Sequence, residues 1–598
     1  MVDAAERVVP LLVVLPIMAA AVVRLPNLPG RVVAGFSIGS SAAMAGLALW
    51  LLPIVIDTPV VHVVGGWGVR EGLVVGISLV ADGLAVGFVA LTGVLVTTGL
   101  GYLAASHEGH AATDVLTLLI LAAVAGFLLA GDIFTMFVFM ELFGIAVYAV
   151  TAGKVEDPAA LPAAINVAVI STIGAVLFLT GVGLLYRLTG TPNIAQSGAV
   201  LTDTPPHAAL AVTTALVLGG LAVKTGLVPF HFAHADLHTA SWSPHAGLLG
   251  AVMLPIGLYG IGRLQISVFG GVPGLDEAVR PVLLVAALTT ALVGGAMALM
   301  QDQLKRMLAF SSISHVGIAG VAVAFGTASG TAAAAVYVVG HGFVKVGLML
   351  VAGVVLHRLG TLQLSELAGR GREVPVAVGL LTVGAALLAG MPPSGLFAGK
   401  AVMTGAAEEL GLGWVMPLVY LAAVLTGAAV ARAVSHLWFG WPVPEDDIGI
   451  VAEHRPEELA SRSPRVLLAL PIALLGIGSL LPLSGSYLAG VGEAAAAAVD
   501  RELYVATVTG GPPPEVTASP QVEPWTATSI APGVAGVVGA AVLGPWIAAR
   551  WRREPHLLSA PARGLRRLHT GLVNDQVTWL TVGIAGWCLW LLVTVPAG

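Results

Sequence analysis

Apolar runs of about twenty residues recur along nearly the whole 598-residue chain, and that recurrence limits the fold more than any other feature. A helix needs about 20 such residues to cross the hydrocarbon layer of a bilayer. At that length the sequence predicts sixteen spans, at roughly 8–23, 32–55, 75–104, 113–130, 132–152, 163–186, 207–229, 244–262, 278–300, 306–326, 331–356, 375–399, 413–438, 466–489, 529–549 and 573–595. Only 10% of residues are charged, against about a quarter in a soluble domain, too few to cover a water-facing surface. A string of soluble domains is excluded, and a net charge of −6 offers no footing for nucleic acid. The first run, Val8–Val23, follows Arg7 like the apolar stretch of a signal peptide. It lacks a small-residue cleavage site and reads as a retained span. Val60–Val74, rich in valine and glycine, predicts a short β-hairpin at one membrane face.

Basic residues set the orientation. With the N-terminus outside and loops assigned alternately, seventeen of the 27 Lys and Arg fall in inner loops and six in outer ones. Inner loops are expected to carry the excess, so the partition supports both the even count and an outside N-terminus. The remaining four, Lys224, Lys345, Lys400 and Arg432, fall within or at the edge of apolar runs. The Pro-rich segment Thr507–Thr526 reads as an extramembrane linker that sets 491–598 apart as an appendage.

Charges inside a span are costly, about 2.5–3.5 kcal/mol each on insertion scales, and are functional by default. Glu141, in Phe137–Leu142, and Lys224, in Leu221–Pro229, offset that cost if they pair across helices; a purely structural ion pair is the plainer alternative. His341 and Lys345 stand at i and i+4, on one helix face, as a proton relay or a packed polar pair would. Lys400 follows Gly390-Met-Pro392-Pro393-Ser-Gly395, a density of proline and glycine that breaks a helix, and Pro229 does the same five residues after Lys224. Broken helices at membrane depth are tolerated only where protein or a watery cavity satisfies the freed carbonyls. In corresponding positions of two halves they point to an ion site. The separation of Glu141 from Lys224, 83 residues, nearly matches the 85 from His315 to Lys400.

His231, His234, Asp236, His238 and His245 cluster in what reads as a turn after the first break. We read His231, His238 and His245 as a candidate proton-entry vestibule rather than a metal site. Asp82 and Arg432 read as helix anchors near the interfaces. The single cysteine, Cys588, lies in the last apolar run, so the thiolates of an iron–sulfur cluster are missing and no cofactor is expected.

At these residues the sequence resembles the antiporter-like subunits shared by respiratory complex I, membrane-bound hydrogenases and Mrp-type sodium/proton antiporters, and is most similar to the Mrp D type. Phe137–Leu142, Lys224–His231, Asp302–His315, His341–Lys345 and Gly390–Lys400 carry the likeness, which covers roughly residues 60–440. The resemblance implies an all-α membrane fold: a fourteen-helix core with two inverted five-helix repeats, here at 113–263 and 264–440. Three spans and the hairpin (1–112) precede them, a fourteenth span (441–490) follows, and two extra C-terminal helices complete the chain. It also implies that Glu141 and Lys224 form the paired carboxylate and lysine of a first half-channel. Lys345 would be the central lysine, His315 and His341 relay histidines, and Lys400 the lysine of a second half-channel. Many relatives carry a further lysine in the eighth span; here that position is Pro255. The expected function is proton conduction in a multisubunit membrane complex, most readily Mrp-type cation/proton antiport, moving protons and a cation such as Na⁺. The alternatives are a proton-pumping subunit of a complex I-like oxidoreductase or hydrogenase, and a non-conducting scaffold of a soluble enzyme.

Overall fold

The computed structural model describes residues 2–67, 69–70, 73–202, 204–441, 465–512, 514, 519–553 and 573–595. The basic residues expected in inner loops at Arg455, Arg462, Arg563, Arg566 and Arg567 lie outside them. Among the described residues fifteen helical stretches are long and apolar enough to cross a membrane, and a sixteenth apolar helix, Pro375–Ala389, is shorter. The protein is an all-α integral membrane protein.

In chain order the first helices are α1 (Val2–Val8), α2 (Leu11–Val23) and α3 (Gly30–Val55). A β-ribbon follows: β1 (Val60–Val63), β2 (Val69–Arg70), β3 (Leu73–Val74) and β4 (Ser78–Ala81), with β1 antiparallel to β4 and β2 to β3. The ribbon therefore runs past Val74 to Ala81 and takes residues expected at the start of the third span. That span begins at Gly83 because Asp82 caps it, accepting from the Ala85 N–H at 2.8 Å.

Then come α4 (Gly83–Ser106), α5 (Ala111–Leu129), α6 (Ile133–Ala152), α7 (Ala160–Thr189), α8 (Ile194–Leu201), α9 (Ala208–Thr225), α10 (Phe232–Ala240), α11 (Ser243–Leu248) and α12 (Leu254–Leu264). The turn expected after Pro229 is thus the helix α10. A π-turn, Leu249–Met253, joins α11 to α12 and relieves the clash that Pro255 would otherwise impose on the preceding turn. The second half holds α13 (Leu275–Leu299), α14 (Leu304–Ala324), α15 (Ala328–Leu359), α16 (Leu364–Leu367), α17 (Pro375–Ala389), α18 (Gly395–Glu409) and α19 (Met416–Phe439). The last helices are α20 (Arg465–Leu480), α21 (Gly485–Val499), α22 (Arg501–Thr509), α23 (Ala527–Arg553) and α24 (Val573–Thr594).

The centre of the bundle is α15, 32 residues long and almost wholly buried. Glycines let it touch α18: a Cβ on Gly340 would sit 2.5 Å from the Gly395 Cα. Gly340→Ala must therefore part the two helices beside His341. We expect a loss of roughly 1–3 kcal/mol, typical of overpacking, read as a lower thermal midpoint of the assembled complex. An unchanged midpoint would show that the contact carries no strain.

Charged anchors sit at the ends of the bundle. Asp82 pairs with Arg263 of α12, and Arg432 of α19 pairs with Asp302 at 3.2 Å and also donates to the Gln301 carbonyl. Arg306 of α14 binds Asp236 of α10 at 2.6 Å. Lys305, expected in a loop, is instead fully buried in the first turn of α14. The C-terminal helices cover the two helix breaks. A Cβ on Gly583 of α24 would meet the Pro229 ring at 2.6 Å, and one on Gly533 of α23 would lie 3.1 Å from the Gly390 carbonyl oxygen.

Candidate functional site

Both predicted breaks are present. α9 ends where Gly226 takes φ +70°, and the chain resumes as α10 after Pro229. α17 ends where Gly390 takes φ +99°, and α18 starts after Pro392 and Pro393. Both glycines occupy the left-handed region that residues with a Cβ rarely enter. The first break is satisfied by protein, since the Val228 N–H donates to Thr290 Oγ1 of α13 at 2.8 Å.

The two lysines flank the breaks differently in sequence, but each lies by the C-terminal end of a half-helix. Lys224 lies in the last turn of α9. Lys400 lies in α18, yet its Nζ reaches back through the space a Gly390 side chain would fill and donates to the Ala389 carbonyl at 3.0 Å, the last carbonyl of α17. Each amine thus sits at the C-terminal, negative end of a half-helix, where a cation is favoured. The face of Tyr420 lies 5.1 Å from Lys400 Nζ and adds a cation–π contact.

Glu141 of α6 and Lys224 come together across 83 residues of chain, with Nζ 2.7 Å from Oε1. Lys224 is buried, whereas the Glu141 side chain keeps 28% of its surface on the outer face of the bundle. The carboxylate is therefore the half of the pair that another surface could reach.

On α15, Tyr337, His341 and Lys345 stand one turn apart on one face. His341 stacks on His315 of α14 with centroids 5.1 Å apart. His315 Nδ1 lies 2.6 Å from the Tyr337 hydroxyl and Nε2 3.1 Å from Thr426 Oγ1, while His341 Nε2 has no hydrogen-bond partner among the described residues. Lys345 donates to the Leu308 carbonyl at 3.0 Å and to Ser311 Oγ at 2.5 Å, both on α14. Among the described residues neither Lys345 nor Lys400 has a carboxylate within 4.0 Å, which sets them apart from Lys224.

The histidines after the first break are buried as well. His231 precedes α10, His234 and His238 lie on it, and His245 lies on α11 with Nε2 2.8 Å from Thr117 Oγ1 of α5. Among the described residues no three His, Cys, Asp or Glu gather as metal ligands would. Pro255 is buried between two small apolar clefts of about 60 and 20 Å³, lined by Phe88, Leu258, Tyr259 and Val338 among others. Sequence reasoning missed Tyr337, Thr426 and Tyr420. Tyr337 was findable from its i, i+4 spacing to His341; the two α19 residues carry no such signal.

The family described as NADH:quinone oxidoreductase/Mrp antiporter, transmembrane, matches residues 130–426. The NADH-quinone oxidoreductase subunit N of Desulforudis audaxviator is 28% identical over 481 residues, covering 78% of this chain and 94% of its own length. A chain in the Mrp complex of Dietzia sp. DQ12-45-1b superimposes with a TM-score of 0.75 at 26% identity, over 84% of this chain and 99% of that one. A chain of the membrane-bound sulfane sulfur reductase, an archaeal respiratory membrane complex, gives 0.72 at 28% identity with the same coverage.

Proposed function

The chain belongs to the antiporter-like membrane-subunit family shared by NADH:quinone oxidoreductases and Mrp antiporters, and we propose that it conducts protons along a line of buried ionisable side chains within a multisubunit complex. The observation that carries this reading is the 2.7 Å Glu141–Lys224 pair, followed deeper in the bundle by lysines with no carboxylate within 4.0 Å among the described residues. A paired lysine holds its proton firmly, and it releases that proton when the carboxylate is drawn to another partner. Glu141, with 28% of its side-chain surface exposed, is the partner we take to be drawn away. The proton then passes to Lys345, His341 and His315, and leaves by Lys400. With the N-terminus outside, Lys154, Lys305 and Arg306 mark the inner mouth.

Each proton moved against the membrane potential needs about 2.3 kcal/mol per 100 mV, so the path requires an external drive. Mrp-type antiport, with a monovalent cation as the counter-ion, is the reading supported by the likeness to the Mrp complex chain. The likeness to subunit N of an NADH-quinone oxidoreductase favours a second reading, in which a redox partner drives the same path. The test uses vesicles holding the whole complex and an internal pH dye. Collapse of an imposed pH gradient on adding Na⁺ supports antiport. Proton movement only when an electron donor and quinone are supplied supports the redox drive. Movement in neither arm removes the conducting reading.

A further inference from the structure

The two C-terminal spans contribute none of the side chains of the proposed path, yet both meet the bundle at a helix break. At the second break α23 lies over the carbonyls that α17 leaves free. A Cβ on Gly536 would be 3.0 Å from the Ala389 carbonyl oxygen, the acceptor of Lys400. One on Gly533 would be 3.1 Å from the Gly390 carbonyl oxygen and 2.8 Å from the Phe397 ring. Phe397 of α18 is 2% exposed and stacks on Trp525 of the linker, with centroids 5.4 Å apart and planes at 27°. The turn that opens α23 holds Trp525 there. The Ser529 hydroxyl donates to the Pro524 carbonyl at 2.5 Å and accepts from the Thr526 N–H at 3.2 Å, and the Thr526 hydroxyl accepts from the Ser529 N–H at 3.3 Å. Around Phe397 an apolar cluster joins Ala332 and Val336 of α15, Leu488 and Ala495 of α21, and Val522 of the linker. Val336 stands one turn from Gly340, where α15 touches α18. The first break repeats the arrangement: Trp579 of α24 meets the Phe232 ring at 6.3 Å, and Gly583 lies against Pro229.

We propose that the C-terminal appendage is the seal of the second half-channel: Trp525, stacked on Phe397, and the glycine face of α23 keep water from the break beside Lys400, so that a proton leaves that amine only when the complex is driven. This rests on the conducting reading above. Backbone freed at membrane depth needs either protein or a watery cavity to cover it. Water at this break would let Lys400 exchange protons down any gradient, with or without a drive. An apolar constriction excludes water and so blocks that route. Glycines at 533 and 536 let α23 come close enough to cover the carbonyls, and the Trp525 ring closes the side that the helix leaves open. Trp525 itself keeps 37% of its surface exposed, so the ring stands at the border between the apolar cluster and the surroundings of the bundle.

The test measures passive proton leak in vesicles holding the whole complex, with an imposed pH gradient, a lipophilic cation to balance charge, and no Na⁺, electron donor or quinone. Trp525→Ala empties the stack, and Gly533→Val wedges α23 off the break. Each is expected to raise the leak per assembled complex at least about fivefold, while Trp525→Phe, which keeps a stacked ring, holds it at the wild-type level. Adding Lys400→Met to either leaking variant is expected to remove the extra leak, because the path then ends short of the opening. A leak that survives Lys400→Met comes from a general breach of the bundle and would overturn the seal. Trp525→Ala and Gly533→Val complexes as tight as the wild type, beside a Lys224→Ala complex without driven flux, would overturn the seal and leave the conducting reading intact. If driven flux also survives Lys224→Ala, the conducting reading itself fails. Should the first two variants not assemble, Trp525→Leu removes the ring but stays apolar; a raised leak there supports the seal and an unchanged one overturns it.

Discussion

Lys224→Ala is expected to lower proton flux through the assembled complex by at least about a hundredfold, equivalent to about 2.7 kcal/mol on the slowest step. The residue is the only described basic partner within 4.0 Å of Glu141, and the pair sits at the first helix break. Removing the amine deletes the proposed proton carrier and leaves a carboxylate partly buried without its cation. Breaking a fully buried pair costs roughly 3–5 kcal/mol of stability, but Glu141 keeps 28% of its side-chain surface exposed, so a smaller figure is expected here. Stability should fall by less than flux does. Glu141→Gln should slow flux to a similar degree while disturbing assembly little, because the amide still accepts a hydrogen bond from Lys224. Flux measured with a trapped pH dye, beside chromatography of the complex, checks both. An assembled Lys224→Ala complex with wild-type flux would support the scaffold alternative.

The second large effect has the opposite relation between function and stability. Lys345→Met should abolish flux and leave the fold as stable or more so. Lys345 is fully buried, has no carboxylate within 4.0 Å among the described residues, and is held only by the Leu308 carbonyl and the Ser311 hydroxyl. Methionine fills nearly the same volume without a charge to desolvate. The partners left behind satisfy each other, since the Ser311 hydroxyl also donates to the Leu308 carbonyl at 2.9 Å. Replacing a buried charge with a well-packed apolar group is often neutral or stabilising by a few kcal/mol. The check pairs thermal midpoint with flux: a raised or equal midpoint with no flux is expected, and a collapsed midpoint would mean that Lys345 is structural.

Much of this was legible because bilayer physics writes itself into sequence. Twenty-residue apolar runs marked the spans, and charge inside them marked Glu141, Lys224, Lys345 and Lys400. Pro229, Gly390 and the prolines after it marked the breaks, since few residues can end a helix at that depth. The likeness to a known family suggested the order of the proposed path, which spacing alone could not. What stayed hidden depends on three-dimensional packing. Valine and glycine between Val60 and Val74 gave the ribbon but not its closing strand, because Ser78–Ala81 is as apolar as the span it precedes. Nothing local shows that Lys400 reaches back to the end of α17, so the lysines on opposite sides of their prolines looked unmatched although each stands by the C-terminal end of a half-helix. The helicity of α10 was masked by its four histidine and aspartate side chains, counting His231 at its cap, which read as a polar turn.

The claim underlying all of this is continuity: what enters at Glu141 leaves at Lys400. Lys400→Met tests it most directly, because Lys400 lies in the other half of the bundle and makes no contact with the Glu141 pair. Proton flux in vesicles, per assembled complex, should fall to the level of Lys224→Ala. A Lys400→Met complex that assembles and conducts like the wild type would contradict a single path through the two halves.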